Sequence, residues 1–77
     1  MPTVLVTGAN RGIGLEYCRQ LQARGDAVVA VCRQPSAELT ALGLRIEAGI
    51  ELSDPAAIIE LVKRLKGATL DTVILNA

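Results

Sequence analysis

The clearest chemical signal in this 77-residue sequence is a set of three glycines with fixed spacing. Gly8, Gly12 and Gly14 lie between an apolar, β-branched run and a helical pattern. A turn at that place must reverse sharply, which favours Gly8, and the next helix presents free N–H groups and the positive end of its dipole. Gly12 lets a ligand approach the backbone, and Gly14 lets the helix pack close to the sheet. The pattern therefore predicts a pyrophosphate-binding turn, with a purely structural glycine turn as the alternative.

The turn belongs to a chain in which short apolar runs alternate with helical patterns. The predicted strands are residues 3–7, 27–32, a segment within 45–52, and 71–76. The predicted helices are one from Gly12 that Gly25 ends, a short one between Ser36 and Leu42, and one begun by Asp54 and Pro55. The apolar stripe of this last helix is expected at Ile58, Leu61, Val62 and Leu65. Strands joined by helices must be parallel with right-handed crossovers, so the sequence predicts the α/β class, a doubly wound parallel sheet with order βαβαβαβ along the chain.

The two outer strands differ in pattern. In the third strand Glu47, Gly49 and Glu51 alternate with apolar residues, which is typical of a sheet edge and agrees with strand order 3-2-1-4. Residues 72–75 of the fourth strand are apolar on both faces, which is typical of a strand with neighbours on both sides. We therefore expect residues 1–77 to be the truncated, N-terminal part of a single larger domain.

Composition and charge limit the class of protein. The chain is 51% hydrophobic and 21% charged, which is a globular balance, and its eight Lys and Arg residues offset eight Asp and Glu. The sequence has no excess of positive charge that could bind nucleic acid. Its longest apolar run, residues 27–32, is too short for a membrane span. Two cysteines and no histidine exclude a zinc finger, so no metal site is expected. Cys18 is expected to pack as a small hydrophobe, whereas Cys32 either packs or presents a reactive thiol. A cytoplasmic protein is the default expectation.

Residues 6–16, VTGANRGIGLE, closely resemble the short-chain dehydrogenase/reductase family, whose spacing is T-G-x-x-x-G-x-G. The likeness is to its carbonyl-reductase branch, which includes the C-factor-like proteins, and it covers the whole chain. Residues 52–55 look like the family segment after strand three, and residues 75–77 like the start of its N-N-A-G motif, with Leu75 in place of the first Asn. Glu51 replaces the usual Asp, whose side chain meets the adenine ring. The resemblance implies a Rossmann-type domain with cofactor contacts at Gly8, Asn10, Arg11, Gly12, Ile13, Gly14, Glu51, Leu52, Asn76 and Ala77.

Two arginines bear on the choice of dinucleotide. An NAD-selective site places an acidic residue at the end of strand two, about 20 residues past the glycines, on the ribose 2′-OH. Residues 31–33 of this sequence, Val-Cys-Arg, include no carboxylate there. Arg33 instead offers a guanidinium fork to a 2′-phosphate, and Arg11 can approach from the other side. The pair favours NADP(H) over NAD(H), and the alternative is that one or both are solvated surface charges.

The resemblance implies an NADP(H)-dependent oxidoreductase acting on a small-molecule carbonyl or alcohol, with hydride transfer at nicotinamide C4 and a Tyr, a Lys and a Ser as catalytic residues. Tyr17 has Leu21 four residues later and cannot supply the family's Y-x-x-x-K pair. We therefore expect no catalytic residue within these 77 positions and no activity of this chain alone. The alternatives are a non-catalytic dinucleotide-binding module and an interaction protein that pairs through its sheet edge. The sequence leaves open whether the protein forms a homo-oligomer.

Overall fold

The computed structural model of the chain describes residues 2–76. Over this range strands and helices alternate: β1 Thr3–Thr7, α1 Gly12–Ala23, β2 Ala27–Val31, α2 Ala37–Ala41, β3 Arg45–Glu47, α3 Pro55–Arg64 and β4 Thr72–Ile74. Every pairing in the sheet is parallel, and the strand order is β3-β2-β1-β4. The predicted α/β architecture and strand order are confirmed. None of the helices within residues 2–76 is long and apolar enough to cross a membrane.

The helix boundaries follow the predicted caps. The Ser36 hydroxyl accepts a hydrogen bond from the Leu39 amide, and the Asp54 carboxylate accepts one from the Ala56 amide. Both side chains satisfy donors that the start of a helix leaves without an intrahelical partner. After α1 the chain turns at Gly25, which has a φ of +96°. These positions confirm the predicted starts of α2 and α3 and the predicted end of α1.

The third strand is shorter than the predicted segment. It ends at Glu47 because Gly49, with a φ of +77°, bends the chain away from the strand direction. Beyond the bend, the Gly49 amide donates to the Arg33 carbonyl at 2.8 Å, and Ile50 turns into the core. β3 therefore lies within the predicted segment, and the alternating pattern that continues to residue 52 is not all strand. It reflects a loop that returns over the end of β2.

Two apolar clusters cover the two faces of the sheet. The first joins β1 and β2 to α1 and α2 through Val4, Val6, Ala9, Leu15, Cys18, Val28, Ala30, Cys32 and Leu39. The second joins the opposite face to α3 through Leu5, Val29, Val31, Ile50 and Leu61. Adjacent residues of β1 and β2 thus enter opposite clusters, as expected for strands with helices on both faces.

The buried face of α3 is rotated from the predicted stripe. Leu61 is buried, and Ala57 and Leu65 pack partly against the second cluster. Ile58 is 36% exposed and Val62 is 64% exposed, so the prediction that they pack inward was wrong. The three residues that face the second cluster are spaced i, i+4, i+8. They form a narrower apolar stripe than is expected for a helix that packs by a whole face.

Candidate functional site

The carboxyl ends of the strands surround an open cleft of about 1230 Å³. In open α/β sheets, ligands bind in the crevice outside these ends. Many of the residues predicted from the sequence line this cleft: Gly8, Asn10, Arg11, Arg33, Glu51, Leu52 and Asn76. The other predicted residues within the described range, Gly12, Ile13 and Gly14, form the first turn of α1, next to Arg11. Ala77 lies outside the described residues.

Gly8 is required by its backbone conformation and by its neighbour. Its φ is +60°, and a Cβ placed there would lie 2.4 Å from the carbonyl oxygen of Asn76. Only glycine fits this conformation without strain and this space without a clash. The sharp reversal predicted at Gly8 is therefore accompanied by close contact with the end of β4.

Gly14 lets the first turn of α1 approach the loop rather than the sheet itself. A Cβ on Gly14 would lie 2.0 Å from the Gly8 carbonyl oxygen and 2.8 Å from Asn76 Nδ2. The prediction that Gly14 permits close packing holds, but the surface that it approaches is the glycine turn. The helix start and the turn are consequently fixed against each other.

Gly12 differs from both of these glycines. Its φ is +59°, and a Cβ on it would meet no atom of the described chain within 4 Å. The neighbouring side chain, Ile13, is 68% exposed. The backbone at this point is open on the side where a Cβ would stand.

The N-terminus of α1 has no side-chain cap among residues 2–76. Arg11 precedes the helix in extended conformation, its side chain makes no capping hydrogen bond, and the first turn contains no acidic residue. The first N–H groups of any helix lack intrahelical acceptors and carry the positive end of the helix dipole. This terminus can therefore bind an anion such as a pyrophosphate.

Asn76 links the glycine turn to β4. Its side-chain Nδ2 donates to the Gly8 carbonyl at 3.3 Å, and its backbone N–H donates to Thr7 Oγ1 at 2.9 Å. The Thr7 hydroxyl lies 3.1 Å from the Asn76 carbonyl, to which it donates. Thr7 is only 2% exposed, and the sequence interpretation had not given it a role in the site. Its contacts require β4 to lie beside β1, which is a long-range consequence of the fold.

A second link joins the glycine turn to the loop after β2. The Ser36 hydroxyl donates to the Asn10 carbonyl at 2.7 Å, and the Ser36 amide donates to the Asn10 side-chain oxygen. Ser36 lines the cleft, and the sequence interpretation recognised it only as the start of a helix. The Asn10 side chain, predicted as a cofactor contact, is bonded to this neighbouring loop.

The charged groups of the cleft include a salt bridge that the sequence did not indicate. Arg33 Nη1 lies 3.2 Å from Glu51 Oε2, and the two side chains are 77% and 46% exposed. Arg11 is also exposed and lines the same cleft. The structure therefore brings both predicted arginines to one cleft and places a carboxylate against one of them.

Both cysteines are buried and protonated at neutral pH. Burial raises the pKa of Cys18 from its ordinary value of 9.0 to about 11, and the nearby Cys32 thiol adds to this effect. Burial also raises the pKa of Cys32, which is 5% exposed at the cleft wall. A raised pKa lowers the thiolate fraction, so the structure favours packing over reactivity for both residues. In the described part of the chain, no group of three or more potential ligand side chains is arranged to hold a metal ion.

Comparison with known proteins identifies the class that this fold and site define. The family model for the short chain dehydrogenases matches residues 2–77. The chain belongs to that family, as residues 6–16 predicted.

Individual relatives extend the likeness over nearly the whole chain. The chain is 41% identical over 75 residues to 1-hydroxy-2-glutathionyl-2-methyl-3-butene dehydrogenase of Rhodococcus sp. (strain AD45), covering 95% of this chain and 33% of that protein. It is 38% identical over 86 residues to (+)-neomenthol dehydrogenase of Arabidopsis thaliana, covering 95% of this chain and 29% of that protein. The chain thus spans about a third of the length of these relatives.

Solved structures share the fold closely. A carbonyl reductase from Pseudomonas aeruginosa PAO1 in complex with NADP superimposes with a TM-score of 0.88 at 36% identity, covering 100% of this chain and 38% of that chain. A short-chain dehydrogenase/reductase from Burkholderia multivorans with bound NADP gives a TM-score of 0.91 at 34% identity, covering 99% of this chain and 36% of that chain. These likenesses agree with a nicotinamide dinucleotide as the cofactor class of the family.

Proposed function

We propose that the protein is an NADP(H)-dependent oxidoreductase of the short-chain type, acting on a carbonyl or alcohol substrate. Residues 1–77 form the N-terminal part of its cofactor-binding Rossmann domain. The observation that carries the proposal is the glycine turn at the uncapped start of α1, packed against Asn76 beside a cleft that also contains Arg11 and Arg33. We also propose a cytoplasmic location.

The pyrophosphate of the dinucleotide binds at the start of α1. The open backbone at Gly12 lets it approach, and the N–H groups of the first helical turn donate hydrogen bonds to it. The contacts of Gly14 with Gly8, and of Gly8 with Asn76, keep these donors in place before the ligand arrives. A rigid turn loses little conformational freedom on binding, which favours affinity.

The adenosine end occupies the cleft between the loops after β2 and β3. Arg33 and Arg11 bind the 2′-phosphate, because a guanidinium donates charge-assisted hydrogen bonds to phosphate oxygens. Glu51 and Leu52 border the adenine. The NADP-bound relatives support this choice of cofactor.

The residues of this chain contribute binding and orientation rather than proton transfer. Bound NADP(H) supplies or accepts a hydride. Tyr17 is 43% exposed on α1, with Leu21 one turn later, and it has no part in the chemistry. The catalytic Tyr, Lys and Ser of this enzyme are residues other than these 77.

Titration of the two cofactors tests the proposal in the protein encoded by the complete reading frame. NADPH should bind more tightly than NADH by on the order of tenfold or more, because a charge-assisted contact contributes roughly 1.5–3 kcal/mol. Arg33→Asp should remove or invert this preference. Arg19→Asp makes the same charge change on α1, away from the cleft, and should leave the preference unchanged. Failure to bind either cofactor would overturn the proposed function, and equal affinities would overturn the NADP(H) assignment.

A second candidate is an interaction module without catalysis, which one observation favours. β4 is one of the two edge strands of the described sheet, and Val73 on it is 50% exposed. An apolar edge strand can pair with a strand of another chain. The same titration separates the candidates, since a module of this kind has no need to bind a dinucleotide.

A further inference from the structure

The salt bridge between Arg33 and Glu51 joins two loops that have no other charged connection across the cleft in the described residues. Arg33 follows β2 and Glu51 follows β3, and both side chains line the cleft. The Nη1–Oε2 distance is 3.2 Å, and both groups are accessible to solvent. The guanidinium that the proposed site offers to a 2′-phosphate is therefore already paired with a carboxylate of the same chain.

We propose that Glu51 is a specificity-determining residue that weakens the preference for a 2′-phosphorylated cofactor by holding Arg33. The proposal rests on the proposed function, because it concerns the adenosine end of the same site. It gives the Glu51 carboxylate a partner on the ribose side of the cleft, in addition to the expected contact with adenine.

The Glu51 carboxylate and a bound 2′-phosphate compete for the same guanidinium. A phosphate monoester carries a charge of about −1.5 to −2 near neutral pH, so a carboxylate beside it is repelled. A phosphate bound by Arg33 must therefore share the guanidinium with Glu51 or displace it. A ribose 2′-OH carries no charge, and it can donate a hydrogen bond to a carboxylate without disturbing the ion pair. The pair consequently disfavours NADPH more than NADH.

Solvent sets the size of the effect. Exposed ion pairs are screened by water, and their measured contributions are small. For side chains as exposed as these, removal of the carboxylate should change relative affinity by about three- to fivefold, not by orders of magnitude. Glu51 thus moderates the cofactor preference that Arg33 creates.

The test compares Glu51→Gln with the unmodified full-length protein, using NADPH and NADH as titrants. Glutamine keeps the shape of the side chain and removes its charge. The ratio of NADPH affinity to NADH affinity should rise about three- to fivefold. Glu16→Gln is the matched control, because Glu16 forms a similarly exposed pair with Arg19 at 3.5 Å on α1, outside the cleft. The ratio of NADPH affinity to NADH affinity in Glu16→Gln should equal that of the unmodified protein.

A second pair of variants tests whether the effect depends on Arg33. Glu51→Gln should raise the ratio much less in an Arg33→Gln background, since a double-mutant cycle isolates the coupling between the two side chains. An unchanged or lower ratio in Glu51→Gln, or an equal rise with and without Arg33, would overturn the inference while leaving cofactor binding intact. Absence of binding by either titrant in the unmodified protein would overturn the proposed function and this inference with it.

Discussion

The side-chain amide of Asn76, just after β4, donates a hydrogen bond to the carbonyl oxygen of Gly8, just after β1, at 3.3 Å. The same Nδ2 atom would lie 3.0 Å from a Cβ on Gly8 and 2.8 Å from a Cβ on Gly14. The absent side chains of two glycines thus create the space that the Asn76 amide occupies. The shape of the glycine turn depends on a residue far away in the sequence, and this dependence can be tested.

Asn76→Ala should loosen the turn and weaken dinucleotide binding. The variant loses a hydrogen bond that contributes about 0.5–1.5 kcal/mol, so NADPH affinity should fall by about three- to tenfold. Isothermal titration calorimetry measures the change. Thr69→Ala, in the exposed loop before β4, is the control and should bind as the unmodified protein does. Equal affinities of the Asn76 and Thr69 variants would show that the amide does not organise the site.

Gly12→Val should abolish cofactor binding because its side chain stands where the cofactor must approach. This effect is separate from the stability lost through backbone strain. Gly43 provides a matched comparison: its φ is +70°, and a Cβ on it also meets no atom of the described residues within 4 Å. A side chain at a left-handed position costs roughly 1–2 kcal/mol, so Gly12→Val and Gly43→Val should lower the free energy of unfolding similarly. Only Gly12→Val should prevent NADPH binding, as measured by titration of protein shown to be folded by circular dichroism. Normal binding by that variant would contradict the role of Gly12.

Gly14→Ala should destabilise the protein even though alanine is the better helix former. Its Cβ would lie 2.0 Å from the Gly8 carbonyl oxygen, which is backbone and cannot rotate away. Overpacking of this kind costs about 1–3 kcal/mol, which exceeds the gain of about 1 kcal/mol from helix propensity. Urea unfolding measures the difference. A more stable variant would mean that the helix start moves off the turn without cost.

Stability should decrease at alkaline pH because the Cys18 thiol is buried. Its pKa is raised in the folded state to about 11, so the unfolded chain releases this proton first, near the ordinary pKa of 9.0. The stability that the protonated thiol contributes is complete below about pH 9 and is lost as pH rises towards about 11. The slope should approach about 1.4 kcal/mol per pH unit. Urea unfolding at about pH 8 and about pH 10.5 measures it.

Cys18→Ala is the control for this pH dependence. The variant lacks this thiol but keeps Cys32, whose pKa burial also raises. Its stability should therefore fall less steeply over the same pH interval. Parallel curves for the two proteins would assign the loss of stability to other groups.

The sheet order and the glycine turn were predictable because local patterns determine them. Glycine spacing between an apolar run and a helix specifies the turn, and the polar residues around Glu47 mark the edge strand. The extent of β3 was not predictable, because the bend at Gly49 interrupts an alternation that otherwise continues. The buried face of α3 was also missed, since Ile58 and Val62 are apolar and nonetheless exposed.

The side-chain connections of the site could not be predicted from spacing alone. The contacts of Ser36 with Asn10, and of Arg33 with Glu51, join separate loops. Each residue type fitted a local role: Ser36 as a helix cap, Arg33 as a phosphate ligand and Glu51 as an adenine neighbour. Only the tertiary arrangement of strand ends brings these side chains within bonding distance.

The isolated 77-residue chain should self-associate through β4. This strand lies at the edge of the described sheet, where backbone N–H and C=O groups can pair with another strand. Val73 is 50% exposed and Leu75 is 81% exposed, so the edge carries apolar side chains rather than the charges found beside the opposite edge at Arg45 and Glu47. Sedimentation velocity should show association that increases with protein concentration.

Val73→Lys should reduce this association, because a charge on an edge strand opposes pairing with a second copy. The dimer dissociation constant should rise by about tenfold, which corresponds to roughly 1.4 kcal/mol. Gln22→Lys adds the same charge at an exposed position of α1 and controls for net repulsion between chains. Equal weakening by both substitutions would assign the effect to net charge. An unmodified chain that stays monomeric over the whole concentration range would contradict the predicted self-association through β4.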